Sequence, residues 1–463
     1  RRIIMVQREK RKTLHSVGNV LIVLLFFVAD AAIKQVFAAE PAVAQPPAMR
    51  DQGPVRTLTL EQSIALAFTH NPGLQIERER ISELENDYRI ASSGLYPRIS
   101  VSAYAMQLNS DRVGVLPGMT YTGETFAQLK ARQLLYDGGK VRFGGRAAGI
   151  AADAQRESAE ATRLDTVFAV SQAYYRVLEA RELVRVAQDS LEQRDVFSKI
   201  TGAFVKAGKA TRLETLSAEA QLFDAQRSLL QAREAARLSE LILKRTIGLD
   251  LETRIKIVDT FPDSVAESGD EASLLREAYE HSPDLKKTAL VREQSLYSLR
   301  SAYGSYQPEI SLQGTYGYRD RNTNSGADEW TAGVFLEWAL FEGGLTRAQV
   351  GKARARVNEA DWSEKAVRDQ VQVDLQEALG NLNTARATIT ASKRQVEAQE
   401  EAYQAAVSFY ERGKSTYFEV LSAQADLTQA KASYVLAVSD YLNASARLDR
   451  VVGRGNKHET GKR

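Results

Sequence analysis

The sequence predicts a mainly helical protein with a small β part, assembled as two copies of one unit in which a β-hairpin is followed by long helices. Three observations carry that prediction. A turn-like stretch occurs twice: residues 204–220 and 409–425 share nine of seventeen positions at a spacing of 205. Those identities include Gly208/Gly413, Lys209/Lys414, Thr211/Thr416 and Glu214/Glu419. All ten prolines lie at or before Pro308, with none between Pro117 and Pro262, which leaves two long stretches free of the strongest helix breaker. Finally, the apolar period changes from helical to alternating once in each half.

The chain opens with Arg1, Arg2, Arg8, Lys10, Arg11 and Lys12, followed by the apolar run Val20 to Val28 and then small residues. Nine apolar residues are too few to span a bilayer, so residues 1–38 are expected to be a secretory signal peptide. Removing them takes away seven Lys/Arg and two Asp/Glu, leaving a net charge of −3, which argues against a nucleic-acid partner. The absence of cysteine excludes disulfides and thiolate metal sites.

Residues 39–56, carrying Pro41, Pro46, Pro47 and Pro54, read as a linker. The first repeat is expected over 57–250. Thr59 and Gln62 have capping-box spacing at the start of a short helix ending near His70-Asn71-Pro72, and a second helix runs from about Gly73 to Ser93. A hairpin follows over about 98–136, in which Ala127, Leu129 and Ala131 alternate with Gln128, Lys130 and Arg132 around a turn bearing Gly114, Pro117 and Gly118. Long helices then occupy about 142–247, with Leu164, Val167, Phe168, Tyr174, Tyr175 and Leu178 as an apolar stripe.

After a linker at 251–270, the second repeat spans 271–450. Ala278, His281, Pro283 and Leu285 reproduce Ala67, His70, Pro72 and Leu74 at a spacing of 211. The second hairpin covers about 309–341. Ile310, Leu312, Tyr316 and Tyr318 share one face, Trp330, Ala332, Val334, Leu336, Trp338 and Leu340 line the return strand, and Asn322, Asn324, Ser325 and Gly326 form the turn. Leu135-Tyr136-Asp137-Gly138-Gly139 reappears as Leu340-Phe341-Glu342-Gly343-Gly344 at a spacing of 205, so the first hairpin has the longer loop. Long helices fill about 345–450, and 451–463 is a tail.

Enzymatic motifs do not assemble. Gly413-Lys414-Ser415-Thr416 lacks the phosphate-loop glycine five residues earlier, where Ser408 stands, and it follows a helix rather than a strand. His15, His70, His281 and His458 form no metal or nucleophile cluster; His70 and His281 read as helix-end residues. The expectation is a non-enzyme without cofactor or metal. Thr211-Glu214 and Thr416-Glu419 both have capping-box spacing, worth about 1 kcal/mol per helix start. The same carboxylates could instead line a constriction if a pore exists.

A pore follows from the strands. Four amphipathic strands cannot close a barrel, and open edges cannot be left in a membrane, whereas three copies supply twelve strands. The order Leu58 to Ala67, His70-Asn71-Pro72, Tyr96-Pro97, Leu135 to Gly139 and the two glycine turns resembles the TolC family of bacterial outer membrane efflux and secretion channels, over essentially the whole mature chain.

The resemblance implies a homotrimer in the outer membrane and periplasm of a Gram-negative bacterium, with a twelve-stranded β-barrel in contact with lipid and an α-helical periplasmic barrel. It implies a passive exit duct of a tripartite efflux pump or type I secretion system, partnered by a periplasmic adaptor (a membrane fusion protein) and an inner-membrane transporter. Glu214, Glu419 and Tyr410 fall at gate positions of the family. Gly208, Lys209, Thr211, Gly413, Lys414 and Thr416 fall at the helix-turn tips where an adaptor docks. Ser415 and Ser422 depart from the family pattern, standing where an arginine and a second acidic residue would close the tip. The alternative is a periplasmic coiled-coil adaptor or scaffold with no conducting pore.

Overall fold

The structure, a computed structural model, describes residues 56–107, 123–208, 210–258, 261, 270–320 and 326–455, all within the unit Gly53–Arg463. The signal peptide, the first linker up to residue 55, both hairpin turns apart from Gly326, Lys209 and the end of the tail lie outside these residues.

Strand β1 (Arg56–Leu58) leads into α1 (Leu60–His70) and α2 (Pro72–Ser92). Thr59 caps α1 through the full reciprocal box with Gln62, and Asn71 caps α2 by accepting from the Gly73 and Leu74 amides. After a short 3-10 turn come β2 (Arg98–Gln107), β3 (Gly123–Tyr136), α3 (Lys140–Lys206) and α4 (Arg212–Ile247). The second half repeats this plan with β4 (Ile255–Ile257), α5 (Glu271–His281), α6 (Pro283–Gly304), β5 (Glu309–Asp320), β6 (Ala327–Glu337), α7 (Leu345–Glu411) and α8 (Tyr417–Val452). Both α3 and α7 have 67 residues and both α4 and α8 have 36. At 1.5 Å per residue the longer pair run about 100 Å and the shorter pair about 54 Å.

Three boundaries differ from the sequence reading. The stretch 251–270 contains β4, which pairs in parallel with β1 in the register Arg56↔Ile255 to Leu58↔Ile257. Three residues are too few for an alternating pattern to stand out, and the partner is some two hundred positions away. The second hairpin ends at Glu337 because Glu337 already pairs with Glu309, the first residue of β5, so Trp338 and Leu340 have no strand to bond. The Trp338 indole instead donates to the Tyr306 carbonyl at 3.1 Å. Val451 and Val452, assigned to the tail, complete α8 and are buried. Burial of each contributes roughly 1.5–2 kcal/mol, which favours extending the helix.

Strands β2-β3-β5-β6 form one antiparallel sheet in that order. Its register sorts the two faces. Val101, Leu129, Tyr316 and Trp330 are cross-strand partners in one row, and Ser100, Lys130, Thr315 and Thr331 form the next row on the opposite face. The apolar row is exposed, with Trp330 at 72% and Val101 at 58%. The polar row includes a 2.6 Å contact between the Thr315 and Thr331 hydroxyls. An apolar face this exposed needs a non-aqueous partner.

The cores follow the duplication. Leu58, Ile64 and Ala67 pack with Val170, Tyr174, Val177, Leu243, Ile247, Ile255 and Ile257 in the first half. Leu274 packs with Leu375, Ala378, Leu382, Val438, Tyr441, Val451 and Val452 in the second. Phe261 packs against both. Glycine permits a close approach at the foot of each core: a Cβ on Gly248 would lie 2.4 Å from the His70 carbonyl oxygen, and one on Gly453 would lie 2.9 Å from His281 Cβ. Both histidines turn back on their own helices, with Nδ1 at 3.1 Å from the Leu66 and Glu277 carbonyls respectively.

Candidate functional site

The two duplicated turns join α3 to α4 and α7 to α8. Gly208 (φ 70°) and Gly413 (φ 75°) take the left-handed conformation that lets each helix stop and reverse, and nothing crowds either Cα. At the second turn the Gly413 amide donates to the Tyr410 carbonyl at 2.9 Å and the Lys414 amide to the Phe409 carbonyl at 2.8 Å, satisfying the last carbonyls of α7. Lys414 itself is exposed. Thr211 and Thr416 then restart the chain as N-caps, each hydroxyl accepting at 3.3 Å from the Glu214 or Glu419 amide.

The two glutamates diverge from there. Glu419 completes its capping box: Oε2 accepts from the Thr416 amide at 3.1 Å and from the Ser415 hydroxyl. Those bonds, Ser415 first and then the Thr416 N–H, hold its carboxyl below the usual glutamate range. Glu214 does not reach back to Thr211, so the expected second capping box is half formed. Its Oε2 instead accepts from the Tyr410 hydroxyl at 3.3 Å. The competing donor explains the difference, since the repeat counterpart of Tyr410 is Val205, which has no hydroxyl to offer Glu419.

Tyr410 is only 7% exposed. Its ring lies 5.3 Å from Phe197 and 5.6 Å from Phe204, and Phe197 stacks on Tyr417 at 5.6 Å. Ala218 and Val420 close the cluster, which ties α3, α4, α7 and α8 together beside the turns. Burial, reinforced by the Glu214 charge, pushes the Tyr410 phenol above its ordinary value, so it stays a donor at every physiological pH. Phe197 and Tyr417 were not anticipated from sequence, although Phe197 and Phe204 stand seven residues apart on one face of α3.

The structure therefore brings Glu214 and Tyr410 into direct contact and leaves Glu419 on its own cap, exposed. Among the described residues no group of His, Asp or Glu is arranged to hold a metal ion, and no helix is long and apolar enough to cross a membrane.

Comparison with known proteins agrees with this architecture. The family model described as "Outer membrane efflux protein" matches residues 64–249 and 274–454, the two halves of the duplication. Outer membrane efflux protein BepC of Brucella suis is 24% identical over 342 residues, covering 72% of each chain. Among solved structures, the outer membrane protein VceC of Vibrio cholerae superposes with a TM-score of 0.74 at 21% identity, covering 86% of this chain and 96% of that one. The CmeC outer membrane channel of Campylobacter jejuni gives 0.75 at 18% identity, covering 87% and 88%.

Proposed function

The chain belongs to the outer membrane efflux protein family, and on that premise we propose that three copies form a passive exit duct, closed at rest by the helix-turn tips. As a member it is a transport protein of the outer membrane and periplasm rather than an enzyme. The observation that carries the proposal is the four-stranded sheet with one apolar and one polar face and with β2 and β6 as its edges. Edge strands with unpaired backbone groups are not tolerated in hydrocarbon, so the edges pair with neighbouring copies and the apolar faces turn to outer membrane lipid. Three sheets give twelve strands. A coiled-coil scaffold has no use for an exposed row containing Tyr316 and Trp330.

In this reading α3, α4, α7 and α8 continue as a periplasmic tube. Gly208, Lys209, Thr211, Gly413, Lys414 and Thr416 present the tip to a periplasmic adaptor, which links the duct to an inner-membrane transporter of an efflux pump or type I secretion system. Tyr410 latches Glu214 within each protomer, and Glu214 and Glu419 from three protomers gather six carboxylates near the axis. Such a ring attracts cations and is blocked by multivalent ones. Single-channel recording of the Glu214→Gln/Glu419→Gln variant tests it. Cation selectivity and multivalent-cation block should both fall; unchanged values would remove the ring from the account.

A further inference from the structure

A second feature lies at the opposite end of the long helices. A cavity of about 660 Å³ opens between α2, α3 and α6, lined by Arg142, Arg146, Arg156 and Arg300 against only two carboxylates, Glu85 and Asp153. Both carboxylates are engaged by Arg156, Glu85 at 2.6 Å. Arg142, Arg146 and Arg300 have no carboxylate partner among the described residues. Two of these guanidinium groups converge on one ring, with Arg146 Cζ 5.9 Å and Arg300 Cζ 5.2 Å from the Tyr297 centre.

The ring offsets part of the repulsion between the two charges, but it supplies no counter-charge. Arg142 and Arg146 also stand in the first two turns of α3, where the Asp137 carboxylate accepts from the Gly139 and Val141 amides at 2.9 and 2.7 Å and so answers the helix dipole, without forming an ion pair with any of the three arginines. What is missing is an anion whose oxygens can accept from several forked donors, and phosphate meets that geometry.

We propose that this cavity binds a phosphate-bearing anion through Arg142, Arg146 and Arg300. Its level in the fold favours a lipid headgroup as the source. Arg142 lies six residues beyond the end of β3 and Arg300 nine before the start of β5, so all three arginines sit within roughly 10 Å of the sheet-to-helix junction. A sheet that spans the hydrocarbon places that junction in the periplasmic headgroup layer, roughly 5–8 Å deep. The headgroup source rests on the outer membrane placement proposed above, whereas the charge argument stands without it.

The test uses the mature chain purified in a neutral detergent. Native mass spectrometry reads retention of phosphatidylglycerol and phosphatidylcholine, and calorimetric titration reads binding of inorganic phosphate. The Arg142→Gln/Arg146→Gln/Arg300→Gln variant is compared with Arg227→Gln/Arg233→Gln/Arg237→Gln, three arginines of α4. Phosphatidylglycerol should be retained in preference to phosphatidylcholine, and its retention should fall at least tenfold in the first variant and not in the second. Phosphate binding lost in the first variant without lipid retention would support the site and make a free anion its ligand. No binding of either anion, or equal loss in both variants, overturns the proposal. Should the triple variant fail to fold by circular dichroism, Arg300→Gln alone should still weaken binding at least threefold, and no weakening overturns the proposal. Extraction of the protein only by detergent is unaffected by any of these outcomes, so failure here is separable from failure of the membrane duct.

Discussion

Glu214 and Glu419 are repeat-related, share an N-cap threonine three residues upstream, and still end in different bonds. The reason is one side chain elsewhere: Tyr410 offers a hydroxyl to Glu214, and Val205 offers none to Glu419. The caps were legible in the sequence because Thr-x-x-Glu spacing is local. The latch was legible only through family resemblance, since the Tyr410–Glu214 contact spans 196 positions and depends on how α7 meets the start of α4. Ser415, a departure from the family pattern, takes up a place in the second cap by donating to Glu419. Because the folded-state pKa of Glu419 is depressed, its cap contributes above the ordinary glutamate range, about 4.3, and is lost as pH falls through the lower folded value. Ser415→Ala removes the larger of the two causes. Carboxyl NMR titration should show the Glu419 pKa rising toward the ordinary value; an unmoved titration would mean that the Ser415 bond is not formed in solution.

At the level of elements, the proline-free stretches and the doubled turns gave the long helices nearly to their ends, because helix stops depend on local backbone chemistry. Hairpins were equally visible through alternation, and the observed register puts Val101, Leu129, Tyr316 and Trp330 in one row as the pattern required. The strands β1 and β4 escaped notice because three-residue pairing is decided by tertiary neighbours such as Tyr174, whose hydroxyl donates to the Leu58 carbonyl at 3.2 Å. The turn glycines allow a direct test. Gly413 has a φ of 75° and open space around its Cα, so Gly413→Ala introduces backbone strain without a clash. A left-handed alanine costs about 1–2 kcal/mol. Hydrogen exchange of the amides at 409–416 should therefore accelerate roughly tenfold, by local opening, while the core of α7 around Leu375 keeps its protection. Equal exchange in both proteins would show that the turn does not depend on glycine.

Across the whole molecule, the duplicated halves are held by polar contacts as well as by the shared Phe261. Arg450 of α8 donates to Asp165 of α3 at 2.6 Å and lies 3.6 Å from Asp284 of α6, bridging the repeats. These contacts fix α3 against α8 beside the C-terminal end of α8. Toward the tips the Thr428 hydroxyl meets that of Ser190 at 3.3 Å, and beyond it the aromatic cluster joins α3, α4, α7 and α8 while the Tyr410–Glu214 bond joins α7 to α4. Motion that opens the duct is therefore expected at the tips, where removing Tyr410 loses a buried ring and a latch together, costing about 3–5 kcal/mol by analogy with buried aromatic truncations. Assembly was the least legible level, because strand edges and exposed apolar faces state that a partner is needed without specifying its geometry. The most direct test is single-channel conductance in planar bilayers of the wild type and of Tyr410→Ala. A wild-type channel of small, mostly closed conductance, and a several-fold larger conductance in the variant, are the predicted results. Absence of any channel in both proteins, or identical conductance, would contradict a tip-gated outer membrane duct.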